Sequence, residues 1–226
     1  MLVEPPRDET RLALDRAVAQ AAAARVAAGP RPTPDADAIA LRAVLAGLSA
    51  PARAAVRAVL GRIEAAGGAP LTTAGPLSEA LAADRFGLSF RRTGDPMAGL
   101  KAALDGGRAL IDLSAGAWWG RLLAAPDVRV VAALPDDQGA RPHALLIAQA
   151  QPGPTGDDRT FWVTDSARSD VQIAGALSDA GLAATPLASA GGLKLFVLAG
   201  YVQADDPRLA SAPGALNGVI GAAPQY

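Results

Sequence analysis

Residues 8–66 carry their apolar side chains at helical spacing, in stretches such as LALDRAVAQAAAARV and AVRAVLGRIEAA, with no strand signal among them. Three amphipathic helices are predicted. Asp8 is placed to cap the first, which runs to about Ala28, where Gly29-Pro30 stops it and Pro32 and Pro34 keep the chain out of helix. A second helix is expected from about Asp35 to Ala46, ended by Gly47. Ser49-Ala50-Pro51 reads as an N-cap with proline just inside a third helix, which ends at Gly67-Gly68.

The period then changes. LTTAG, a helix near 77–85, LSF, a helix near 96–105, ALIDL, WWGRLL and VRVVAAL alternate short strands with helices over 69–135, which predicts a largely parallel sheet with helices on its faces. From 143 to 201 the order is strand, strand, helix, strand, strand, and a mainly antiparallel sheet packed on a helix is expected. Residues 205–226 are rich in Pro, Gly, Ala and Ser and read as an irregular tail. The predicted fold class is therefore α/β in three parts: a helical segment (1–68), a single parallel α/β lobe (69–142) and an α+β segment (143–226).

Composition narrows the chemistry. Half of the 226 residues are apolar, enough for a substantial core. With no cysteine and the single histidine His143, thiolate metal sites, cysteine nucleophiles and Ser-His-Asp hydrolysis are poor fits, and no metal or cofactor is expected. The net charge of −1, with acids and bases interleaved, lacks the basic footprint of a nucleic-acid binder. The longest apolar run, 193–202, is about half of the roughly 20 residues a membrane span needs. A cytoplasmic location without nucleic-acid or membrane partners is expected.

The stretch ALLIAQAQPGPTGDDRTFWVTDSARSDVQIAGALSDAGLAATPLASAGGLKLFVLAGY, residues 144–201, resembles the end of the prephenate dehydratase family, where the last catalytic-domain strand runs into an ACT domain. Together with the three N-terminal helices, Trp118-Trp119, VRVVAALP and GYVQADDPRL, the element order resembles bacterial all-helical chorismate mutases carrying a prephenate-dehydratase/ACT-like region. The resemblance implies a periplasmic-binding-like α/β lobe, a partial ACT-like segment and a homodimer. It also implies a role in phenylalanine and tyrosine biosynthesis by rearranging chorismate to prephenate, with a small dianionic metabolite, chorismate or prephenate, as the ligand.

That rearrangement needs no nucleophile. It needs cations that hold two carboxylates and a donor to the ether oxygen. By resemblance Arg16 supplies the first cation and is the candidate catalytic residue, with Arg25 and Arg42 as substrate-binding candidates. The pattern departs from the family elsewhere. Arg25 lies nine residues after Arg16, which at 100° per residue puts it on the other side of the helix. Asp37-Ala38 stands where the family has Arg-Glu, and no glutamine occurs between Gln20 and Gln138. The spacing of Arg11, Arg42, Arg53 and Arg57 is equally that of solvated helix faces. Two readings stay open: a chorismate-mutase-family enzyme with a poorly preserved site, or a non-catalytic ligand-binding or partner-regulating protein on the same scaffold.

The dehydratase motifs are absent as well. Pro142-His143-Ala144 aligns with the family's Thr-Arg-Phe, and the Gly175-Ala176-Leu177 and 187–190 segments do not reproduce the ACT ligand motifs. His143 is read as structural because no acid partner can be named for it. Trp118 and Trp119 are expected to fill core, one of them with a surface alternative, and the 153–158 loop is expected to connect a hairpin.

Overall fold

The computed structural model describes residues 8–27 and 34–226. Asp8 caps α1 (Glu9–Ala27), its carboxylate accepting from the Arg11 amide at 3.1 Å. α2 (Pro34–Leu45) and α3 (Ala50–Gly67) follow, with Ser49 at the N-cap of α3 and Pro51 in its first turn. The stop expected at Gly29-Pro30 lies outside the described residues. Small side chains dominate α1, so these helices build only a modest core of Ala21, Leu41, Leu45, Val56 and Leu60, completed by Tyr226 from the far end of the sequence.

The strands are β1 (Leu71–Ala74), β2 (Arg91–Thr93), β3 (Arg108–Asp112), β4 (Arg129–Leu134), β5 (Ala144–Ala148), β6 (Asp158–Thr164), β7 (Ala184–Ala190), β8 (Leu193–Ala199) and β9 (Asn217–Pro224). They form one mixed sheet in the order β2-β1-β3-β5-β4-β9-β6-β8-β7. α4 (Pro76–Phe86), α5 (Pro96–Leu104) and α6 (Asp170–Asp179) pack on it, which makes the protein a mixed α/β fold.

Period-two alternation assigns the faces. Ala109 and Ile111 of β3, Leu145 and Ile147 of β5, and Phe161 and Val163 of β6 enter one cluster with both Trp118 and Trp119. Their neighbours Leu110, Leu146 and Trp162 face the other way, the first two toward α4 and the last toward Ile173 and Leu177 of α6. Neither tryptophan reaches the surface: Trp118 is 3% exposed and Trp119 fully buried.

Several expectations are corrected by pairing across the chain. β1, β2 and β3 are parallel, but β5 inserts antiparallel between β3 and β4. The strand read at LSF forms three residues later, at Arg91–Thr93. The 153–158 loop connects no hairpin, because β4 and β9 separate β5 from β6. The tail is irregular only as far as residue 216. Its last part, β9, lies mid-sheet, antiparallel to β6 and parallel to β4. Gly221 permits that join: its φ is +140°, and a Cβ there would overlap the Val130 backbone.

Candidate functional site

Alanine and glycine are what leave space under the helical layer. Where α1, α2 and α3 approach the sheet, Ala21, Ala24 and Ala40 on the helices and Ala132, Ala148 and Ala150 below them line a cavity of about 790 Å³. That is within the range of small-molecule sites. Leu41, Val44 and Ile63 of the helices, Phe86 of α4, and Val131 and Leu146 of the sheet supply its apolar walls.

Its ionisable lining is balanced, with three arginines and three carboxylates. Arg25 of α1 pairs with Asp37 of α2 at 3.5 Å. Arg108, at the start of β3, pairs with Glu64 of α3 and donates from Nε to the Ala69 carbonyl at 3.1 Å. Arg85 of α4 lies 3.5 Å from Asp136, which also receives Arg57 of α3, and burial holds the Arg85 guanidinium below its ordinary pKa. The Tyr226 ring stands at the Asp136 end, 5.7 Å from the Arg57 guanidinium carbon and 5.9 Å from that of Arg42. Burial pushes its phenol up to about 12, against the pull of Arg85, Arg42 and Arg57.

The three residues predicted from sequence are not brought together. Arg16 is exposed on α1 and does not line the cavity, whereas Arg25 does, as their nine-residue separation requires. Arg42 is committed elsewhere. Its guanidinium donates to the Thr155 carbonyl, to Thr155 Oγ1 at 3.0 Å, and to the Asp157 and Gln225 carbonyls at 3.1 Å each, tying α2 to the loop before β6 and to the end of β9.

Arg57, Arg85, Arg108 and Tyr226 are the residues that sequence reading missed. Arg57 does not lie on a solvated face; it is 8% exposed. A signal existed, since Val56 and Leu60 put Arg57 beside the apolar stripe of α3. No comparable signal marked Arg108, whose carboxylate partner Glu64 lies 44 residues away, or Tyr226, which meets Arg57 from the far end of the sequence. His143 is exposed and engages its neighbours through its backbone, donating to the Leu134 carbonyl at 2.8 Å and accepting from the Leu113 amide at 2.9 Å.

A shallower recess lies at the carboxyl ends of β1 and β2, lined by Gly75, Pro76, Glu79, Arg92, Thr93 and Gly94. Ligands of open α/β sheets commonly bind at such ends. Here the buried Asp112 carboxylate accepts from the Leu77 and Ser78 amides, so the chain's own anion satisfies the N-terminus of α4. Gly75, at φ +112°, gives that carboxylate room. Among the described residues, no group of three or more His, Cys, Asp or Glu side chains could hold a metal ion, and no helix is long and apolar enough to cross a membrane.

No protein-family model matches the chain, and no curated protein matches it. Two solved structures align with part of it. One is described as GqqA, a novel type of quorum quenching acylase, with TM-score 0.45 and 15% identity over 69% of this chain and 95% of that one. The other is prephenate dehydratase from Arthrobacter aurescens in complex with L-Phe, with TM-score 0.41 and 12% identity over 69% of this chain and 90% of that one.

Proposed function

We propose that this protein is a non-catalytic small-molecule-binding module on a scaffold resembling the chorismate mutase and prephenate dehydratase families, with its ligand in the cavity between the helical layer and the sheet. One observation carries the reading: each of the three guanidiniums on the cavity wall already faces a carboxylate of the chain. A mutase site must instead offer a surplus of cations to a dianion whose charge shifts in the transition state.

Magnitudes favour binding over turnover. A lost transition-state donor costs about 3 kcal/mol, and a millionfold acceleration requires about 8 kcal/mol. With Arg16 outside the cavity and Arg42 engaged by the loop at 155–157, most of that stabilisation has no source among the family-type positions. A homodimer, which rests on the resemblance, and a cytoplasmic location, which rests on the short apolar runs of the sequence, belong to the same proposal; light scattering at micromolar concentration decides the first.

The test is chorismate consumption, followed by absorbance at high protein concentration, with prephenate supplied in a second reaction. The expected result is no loss of either compound beyond the uncatalysed rate. Turnover well above background, abolished by Arg16→Ala, would overturn the binding reading in favour of the mutase.

A further inference from the structure

One end of the cavity holds an unmet demand. Arg108 is only 9% exposed, and its three guanidinium nitrogens are in different situations. Nη1 is paired with Glu64 and Nε donates to the Ala69 carbonyl. Nη2 is buried with no hydrogen-bond partner. A buried donor on a charged group is rarely left unpaired, because its desolvation is then uncompensated.

The surroundings fit an acceptor entering from the cavity. Gly67, Gly68, Gly106 and Gly107 line this end and add no side chains around the guanidinium, so the covered Nη2 meets an acceptor once the Arg108 side chain turns toward the cavity. Gly68 lies directly beside Nη2, since a Cβ built there would come within 3.2 Å of it. Glu64 is one-third exposed at its side chain, so it can share Arg108 with a second carboxylate without being buried itself. Phe86, 5.9 Å from the Arg108 guanidinium carbon, and the nearby Val131 and Leu146 provide an apolar bed for the rest of a ligand.

We infer that the cavity takes a monocarboxylate with a compact apolar body, its carboxylate on Arg108 Nη2 and its body against Phe86, Val131 and Leu146. This rests on the reading of the cavity as a ligand site. One negative charge suits a lining whose own charges balance. A second carboxylate would lie beside Asp37 or Asp136, which already occupy the other cavity arginines, Arg25 and Arg85.

The test is calorimetric titration of the full chain with 4-phenylbutyrate and with its uncharged counterpart 4-phenylbutan-1-ol, repeated on Arg108→Lys, which keeps the charge and removes the forked donor. The wild type is expected to bind the acid at least tenfold more tightly than the alcohol. Arg108→Lys is expected to lose about tenfold for the acid and nothing for the alcohol, a pattern that an unspecific structural defect would not produce. If the variant does not fold, the acid-to-alcohol ratio on the wild type decides alone. Equal affinity for acid and alcohol, or an acid preference untouched by Arg108→Lys in a folded variant, overturns the assignment of the anion to Arg108 and leaves the cavity reading standing. Absence of binding by both compounds overturns both.

Discussion

Arg57 on α3 closes on the Asp136 carboxylate just beyond β4, across 79 residues of sequence, with the two side chains only 10% and 6% exposed. The pair locks the helical layer onto the sheet at the end of the cavity where Tyr226 stands. Removing one partner of a buried pair leaves an uncompensated charge. Asp136→Ala should therefore destabilise the protein by about 3 kcal/mol, at the low end of the range because Asp137 stays 2.7 Å from Arg57. Urea unfolding followed by circular dichroism checks the size of the loss. A change under about 0.5 kcal/mol would mean that the layer is held by its apolar contacts alone.

Gly221→Ala tests how the two halves of the sheet are joined. A side chain at φ +140° is strained, and the added Cβ must push β9 away from the Val130 backbone. Strain of roughly 1–3 kcal/mol and overpacking of a similar size are expected together, seen as a large fall in the urea midpoint. Gly175→Ala is the control: it sits in α6 with open space around it and should be neutral or slightly stabilising.

The protein contains two tyrosines, and burial raises both phenols. Spectrophotometric titration should find Tyr226 half-ionised near pH 12, with both tyrosines titrating near the ordinary value of about 10 once the chain is unfolded. Between those values the unfolded chain has released a proton that the folded chain keeps, so this linkage lowers stability as pH rises through the window. Arg159 acts in the opposite sense. Burial lowers it to about 10, so the folded chain releases that proton first, and the phenol spectrum is the cleaner readout. Ordinary titration of both tyrosines in the folded protein would contradict the packing of Tyr226 under the helical layer.

Arg16→Ala should leave both stability and ligand affinity unchanged. The side chain is exposed on α1, and substitutions of that kind stay within about 0.5 kcal/mol. Thermal melting and the same calorimetric titration check it. A tenfold loss of affinity would place the ligand on the outer face of α1 instead of beneath it.

The chain's local chemistry was legible in its sequence, and its long-range pairing was not. Asp8, Ser49-Pro51, Gly67-Gly68, Gly75-Pro76 before α4 and Asp95-Pro96 before α5 act within one turn of where they stand, so the helices form where such punctuation places them. β9 could not be read that way. GVIGAAP is short and rich in small residues, and it becomes a strand because β4 and β6 hydrogen-bond to its two edges. The partners around the cavity were not legible for the same reason. The helical period correctly put Arg16 and Arg25 on opposite faces, but the cavity charges also include Arg85, Arg108 and Asp136, whose ion-pair partners lie 44 or more residues away in sequence.

Methyl NMR of the full chain titrated with 4-phenylbutyrate measures the central claim most directly, because the cavity and the opposite end of the sheet carry separate reporters. The account predicts that Val44, Ile63, Val131 and Leu146 shift in proportion to the bound fraction, while Ile173 and Leu177 of α6 and Leu198 of β8 stay in place. Shifts centred on the α6 cluster, or no shift at the cavity methyls while the compound binds, would contradict it.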